Sequence, residues 1–322
     1  MRQKMTVAEE EEEEFLIRLP KEQREGEFID CANCPSTYHT SCIDKQGDTS
    51  TKLLCPYCIC KYCGDIDQSL ATCCQCHKKF HRECLQANEK EFVIKTLKCS
   101  KSYCEPNCKL IHEKMEVSLG VKYYINEKYS WRIVRKMNRR MEVNSKIAHV
   151  GTLMCGAFEK IIDTHTGMNV VENVVYSCRS HLMRVNFHRF YAFVIEEDDA
   201  VIAAALIRFN GRDSAEMPFI ATHEAHRGKG ICRLLMAEIE SFLRSLEIKN
   251  LIIPSGPEFV EMWKGGDFSS AQTLDCDVEL GMKKILFIFL CVGLLWHGMR
   301  SHDVRFSLSF TSHRSIFATG IC

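Results

Sequence analysis

The chain has no net charge: 42 Lys and Arg residues are matched by 42 Asp and Glu. A global electrostatic field therefore cannot hold nucleic acid or an anionic membrane, and any such affinity has to come from a local patch. Long apolar runs are missing too. The run from Ile285 to Trp296 has 12 residues, against about 20 for a bilayer-spanning helix, so no membrane partner is expected. The stretch "MRQKMTVAEEEEEEF" has no apolar h-region, and six consecutive glutamates are the opposite of a secretion signal. A reducing, intracellular setting is the expectation. What the chain has in excess is cysteine. Fourteen of its 20 cysteines lie between Cys31 and Cys108, which is how a metal module looks rather than a spread-out disulfide framework.

Composition divides the chain into segments. Residues 1–28 are acidic and expected to be disordered, because like charges repel and bury nothing. Residues 29–59 and 60–112 form the cysteine block. Residues 113–150 read as a basic helical linker, with Trp131, Val134, Met137 and Met141 on one face and Arg132, Arg135, Lys136, Arg139 and Arg140 on the rest. Those charges offer a direct DNA contact, although a solvated helix face is the commoner explanation. Residues 151–265 have the texture of an α/β domain. "FYAFVIEE", "AVIAAALIRF" and "SAEMPFIATH" read as strands separated by "DD" and "NGRD", and Asn210-Gly211 is a hairpin signal. An amphipathic helix follows, with Ile231, Leu234, Leu235, Ile239, Phe242, Leu243 and Leu246 on one face, and then the buried strand "NLIIPS". Residues 266–322 form a tail of different character. The fold class expected is α+β: small tandem zinc-binding modules, then a mixed sheet with flanking helices.

Spacing decides between metal and disulfide. Cys31/Cys34, Cys55/Cys58, Cys60/Cys63 and Cys73/Cys76 are four CxxC pairs, a spacing that lets two thiolates on a tight turn reach one tetrahedral ion at about 2.3 Å. "CPSTYHTSC" and "CHKKFHREC" repeat one phrase, Cys-x4-His-x2-Cys, which pairs His39 with Cys42 and His81 with Cys84. The block resembles the PHD finger, a cross-brace of two zincs. By that resemblance Cys60, Cys63, His81 and Cys84 hold one zinc. Cys73, Cys76, Cys99 and Cys104 hold the other, with Cys108 as a substitute for either of the last two. In the first finger Cys31, Cys34, Cys55 and Cys58 close one site, while His39 and Cys42 lack a preceding CxxC. The zincs implied are structural, and the resemblance implies histone-tail binding.

The loop Arg227-Gly228-Lys229-Gly230-Ile231-Cys232 follows a strand and opens a helix, where exposed N–H groups, glycines and basic side chains can form a pyrophosphate site. It resembles the acetyl-CoA motif of the GNAT acetyltransferases through Arg227, Gly230 and Cys232. Glu216 stands 11 residues before Arg227, similar to the relation between the general base and this loop in GNAT histone acetyltransferases. Residues Met217 to Ala221, Phe219, Ile220 and Ala221 among them, would orient the thioester and cofactor arm through their backbone. Tandem fingers followed by "SWRIVRK", "FYAFVIEEDDAVIAAALIRF", "AEMPFI" and "NLIIPS" look like the plant PHD-finger acyltransferases of the increased-DNA-methylation type. That resemblance covers roughly Phe28 to Trp263. It implies a nuclear protein that binds zinc and acetyl-CoA, reads histone tails, acetylates histone lysines and works with chromatin proteins in transcription or DNA methylation.

After Trp263 the pattern stops. No tyrosine occurs beyond Tyr191, whereas the resemblance implies a terminal helix and strand and often a tyrosine that protonates the departing thiolate. A non-catalytic reader or scaffold is the alternative. A RING-like ubiquitin ligase is disfavoured by the Cys-x4-His-x2-Cys phrase and the attached acetyltransferase pattern.

Overall fold

A computed structural model describes residues 28–34, 37–39, 53–88, 101–137, 140–163, 166–180, 185–254, 271–274 and 305–309. The acidic segment, Cys42, Cys99, the apolar run at 285–296 and most of the tail lie outside the described residues.

The described elements of the cysteine block are short. Strands β1 (Phe28–Asp30) and β2 (Thr37–His39) pair antiparallel, as do β3 (Ala71–Thr72) and β4 (Lys79–Phe80), and helix α1 covers only Arg82–Asn88. Elements this short bury too little to hold themselves together, so sulfurs fill the interior. Cys55, Cys58, Cys60, Cys73, Cys104 and Cys108 are all buried.

The second body is an eight-stranded sheet in the order β11-β12-β10-β9-β8-β7-β6-β5. Its strands are β5 (Tyr123–Tyr124), β6 (Tyr129–Val134), β7 (Tyr191–Glu197), β8 (Ala200–Phe209), β9 (Ser214–Thr222), β10 (Asn250–Pro254), β11 (Ala271–Leu274) and β12 (Arg305–Ser309). Only β9 and β10 run parallel, joined by helix α5 (Ile231–Ser245). Helix α2 (Pro106–Ser118) lies with α5 on one face, where Ile111 and Met115 join Phe193, Ile239 and Leu243 in one core. Helices α3 (Met141–Ala157) and α4 (Val170–Val175) cover the other, packing Val150, Met154 and Val174 on Val194, Ala204 and Leu206. Covered on both faces, β7 and β8 are buried almost throughout, which explains their unbroken apolar runs. This is the mixed α+β sheet with flanking helices that the acetyltransferase resemblance implied.

Both turn signals act as the sequence suggests. Asp198 and Asp199 have φ of 48° and 62° between β7 and β8, the left-handed pair a tight hairpin needs. Asn210-Gly211 turns β8 into β9, with the Asn210 N–H donating to Ser214 O at 2.9 Å.

The helical linker is corrected. Residues 113–150 hold the end of α2, strands β5 and β6, and the start of α3. Through Tyr129–Val134 the operative period is two: Trp131 and Ile133 enter one core, Val134 the other. Trp131 stacks on Tyr123 at 4.6 Å, and Met141, assigned to the same face, is 87% exposed. Two of the basic residues are engaged as well. Arg132 is buried, its Nε donating to Glu196 at 2.9 Å and its Nη1 to Glu142 at 2.8 Å, and Arg135 Nη2 donates to Glu116 at 3.1 Å. A DNA contact through Arg132 would first have to break a buried ion pair.

Candidate functional site

Three groups of four ligand atoms converge: Cys31, Cys34, Cys55 and Cys58; Cys60, Cys63, His81 and Cys84; and Cys73, Cys76, Cys104 and Cys108, with all atoms of each group within 4.8 Å of one another. Sulfur atoms on a zinc tetrahedron with Zn–S near 2.3 Å stand about 3.8 Å apart. The observed separations fit that edge: 3.9 Å for Cys31–Cys58, 3.6 Å for Cys34–Cys55, 3.4 Å for Cys76–Cys104 and 3.7 Å for Cys104–Cys108. His81 faces its sulfurs through Nδ1, 3.3 Å from Cys63 and 3.7 Å from Cys84. Its other nitrogen lies 3.2 Å from Asp67 Oδ1, off the line of a straight hydrogen bond but close enough for the carboxylate to fix the ring.

Backbone N–H groups already point at the sulfurs. Tyr62 and His81 each donate to Cys60 Sγ at 3.4 Å, Gln75 to Cys73 Sγ at 3.4 Å and Cys55 to Cys31 Sγ at 3.3 Å. Burial pushes the Cys60 thiol up, but hydrogen bonds from the backbone of Cys63, His81 and Tyr62 outweigh it and bring it down to about 6. Each group can therefore hold one tetrahedral ion.

The third group differs from the set first read from the sequence. Among the described residues Cys108 stands beside Cys104 as the fourth candidate ligand, while Cys99 lies outside the described residues. Cys108 stands in the first turn of α2, where Pro106 opens the helix without wasting an N–H. Of His39 only the backbone, in β2, is described. The structure thus brings together 11 of the 14 ligands expected and adds Cys108.

Glu216 sits where β9 departs from regularity. Leu206 pairs with Phe219 but Arg208 pairs with Glu216, so Met217 and Pro218 oppose Ile207 alone. Proline has no N–H for the ladder, and a bulge there re-aims the side chains around it. The parallel register with β10 also ends at Glu216, opposite Ile252. Beyond that point β9 continues to Thr222 with no strand paired on its β10 side among the described residues. Glu216 is 1% exposed, and its Oε1 accepts from Arg208 Nε. Arg208 also donates to Asn186 O at 2.9 Å and lies 4.6 Å above the Phe190 ring. From the first finger, the Tyr57 phenol is pushed up by burial, which the Arg208 charge opposes and the charges of Cys76, Glu216 and Cys55 reinforce.

At the far end of β9 a single 3-10 turn, Glu224–His226, leads into the loop. Gly228 and Gly230 have φ of 71° and 77°, the left-handed region that other residues avoid. A Cβ at either would meet nothing within 4 Å, so the loop faces open space. Gly230 caps α5 without a side chain, and Leu234 is the residue whose N–H reaches back to Gly230 O, at 3.0 Å. The N–H groups of Ile231, Cys232 and Arg233 are thus presented at a helix start, where the dipole favours an anion. Arg227 and Lys229 are exposed beside them, with Arg227 Nε donating to Thr222 O at 3.2 Å. Thr222 Oγ1 is buried there without a partner, an orphan acceptor and donor at the strand's exit. These features fit a pyrophosphate and its pantetheine arm.

Phe219 turns its ring into the core, 5.0 Å from Phe158. Sequence reasoning missed Arg208. The available signal was its place eight residues before Glu216 across an Asn-Gly hairpin, which sets the two side by side.

A family model described as "Increased DNA methylation 1, C-terminal domain" matches residues 158–288. The chain is 32% identical over 259 residues to Increased DNA methylation 1 of Arabidopsis thaliana, an alignment covering 75% of this chain and 22% of that protein. The chain thus spans about a fifth of the length of this curated relative. Among solved structures it is similar to a Tetrahymena histone acetyltransferase catalytic domain in complex with coenzyme A, with 13% identity, TM-score 0.37, and 57% of this chain and 95% of that chain covered. It is also similar to N-acetylglutamate synthase from Neisseria gonorrhoeae complexed with coenzyme A and N-acetyl-glutamate, with 18% identity, TM-score 0.36, and 57% and 35% covered.

Proposed function

We propose that this chain is a nuclear, chromatin-directed lysine N-acetyltransferase that uses acetyl-CoA, with zinc-bound fingers that engage a histone tail. The observation that carries the reading is one strand, β9, which has a buried carboxylate at its bulge and leads through a single turn into a glycine loop and a helix start without a side-chain cap. Acetyl-CoA, when bound, supplies an activated thioester. Arg227, Lys229 and the N–H groups of Ile231, Cys232 and Arg233 would hold its pyrophosphate. The edge of β9 from Met217 to Ala221 would align the arm. A lysine amine of pKa near 10.4 must lose a proton, which costs about 4.6 kcal/mol at pH 7. Glu216 would take it, with Arg208 holding the carboxylate. Zinc at Cys60, Cys63, His81 and Cys84, at Cys73, Cys76, Cys104 and Cys108, and at Cys31, Cys34, Cys55 and Cys58 would be structural. Likeness to a protein named Increased DNA methylation 1 supports the role in DNA methylation.

A second reading, a non-catalytic reader or scaffold, is favoured by the 1% exposure of Glu216 and its pairing with Arg208. One comparison separates the two. Acetyl transfer to histone-tail peptides is measured for the zinc-loaded chain and for Glu216→Gln, alongside acetyl-CoA binding. Transfer that falls at least about 100-fold in the variant, with binding kept, is the expected result. Binding without transfer in the parent chain would overturn the enzyme and leave the scaffold.

A further inference from the structure

Three contacts tie the Cys73/Cys76/Cys104/Cys108 group to the β8–β9 hairpin. First, α2 carries Cys108 in its opening turn, and the same buried face supplies Ile111 and Met115 to the sheet core. Second, Gln75, between ligands Cys73 and Cys76, is 1% exposed. It donates to Phe209 O at 3.5 Å and accepts from Arg189 Nη1 at 3.2 Å. Third, Gly211 at the hairpin turn is pressed against the cluster. A Cβ there would stand 3.2 Å from Glu105 Oε1 and 3.9 Å from Cys108 Sγ.

The position of these contacts matters. Phe209 follows Arg208, and the two stems of this hairpin carry Arg208 and Glu216. Arg189 precedes Phe190, the ring under Arg208, and holds a φ of 69° that an arginine keeps only when its surroundings enforce it. The glycine loop lies at the opposite end of β9, with none of these contacts.

We infer that Gln75 is a positioning residue: the metal-bound turn that carries it clamps the β8–β9 hairpin and so fixes Glu216, while the Arg227–Cys232 loop stands independently of that clamp. A metal at this group then acts on the sheet as well as on the finger. The mechanical coupling stands on contacts alone; its consequence for turnover rests on the acetyltransferase reading.

The test uses the full zinc-loaded chain and measures amide hydrogen exchange peptide by peptide, with zinc content by colorimetric chelator. Gln75→Ala leaves every ligand in place. It is expected to keep its zinc and to speed exchange about tenfold over residues 206–216, with helix α5 unchanged. Cys108→Ser is expected to lose one zinc equivalent and to speed the same residues further. Unchanged exchange at 206–216 in Gln75→Ala, or an equal rise through α5, overturns the clamp. Should Cys108→Ser unfold the whole sheet, Gln75→Ala alone decides. If the parent transfers acetyl groups, Gln75→Ala should lower kcat about tenfold with acetyl-CoA affinity unchanged. A parent without transfer would defeat the enzyme reading and leave the exchange result to judge the clamp.

Discussion

Around the three metal groups the buried apolar side chains are mainly cysteines, with Phe80, Tyr103 and Leu85 the largest others beside them. Around β7 they are Tyr191, Phe193, Ile195, Phe209 and Ile239, each at most 1% exposed. The first region has short strands and almost no hydrocarbon interior, so its folding free energy has to come from ligand bonds. The second removes a continuous apolar surface from water and needs no ion for that. Between them stands α2, which belongs to both: Cys108 faces the metal group and Met115 the sheet core, seven residues apart on one helix face.

The comparison can be broken most forcefully by removing metal. A chelator should unfold the fingers, since structural zinc contributes about 10–16 kcal/mol in small modules, while α5 and β7 keep slow hydrogen exchange. Uniform loss of protection would mean the two regions fold as one. The reciprocal experiment is Phe193→Ala. This ring packs on Trp131 and Phe242, and its removal should cost about 3–5 kcal/mol in denaturant unfolding, with three zinc equivalents still bound.

A smaller effect is expected at the glycine loop. Gly230→Ala adds a methyl with open space around it, so its cost, about 1–2 kcal/mol, is that of the left-handed backbone. Acetyl-CoA binding measured by calorimetry should weaken with it, and zinc content should not change. The smallest effect concerns pH at the junction. Burial, with Arg189 and then Lys101 assisting, lowers His112 to about 4. Arg189 Nη1 lies 2.7 Å from one ring nitrogen and Lys101 Nζ 2.9 Å from the other, so a protonated ring would face two cations. The folded value is below the ordinary 6.5, so the unfolded chain binds the extra proton. Stability is present above about 6.5 and is lost as pH falls toward 4. Melting curves at pH 7 and pH 5 should show the loss, and His112→Gln should flatten it.

Several features were legible because a few neighbouring residues suffice to encode them. The CxxC pairs closed, the Asp-Asp and Asn-Gly turns formed hairpins, and Ile231, Leu235, Ile239 and Leu243 buried one helix face. The basic stretch around Arg132 misled because its arginines were counted as a solvated face. Their partners Glu196 and Glu142 lie 64 and 10 residues away, and no local period reports a buried ion pair.

By itself the sequence determined the chemistry available: thiol and imidazole ligands at metal spacing, a carboxylate 11 residues ahead of a glycine loop, and apolar strands that must pair. The tertiary structure decided which of these meet. It brought Cys108 beside Cys73, Cys76 and Cys104, set Arg208 against Glu216, and placed Gln75 on the hairpin between them. The physical reason is range: turn and knuckle geometry is fixed by φ, ψ and loop closure within a few bonds, whereas docking one region on another depends on surfaces that exist only after both have folded.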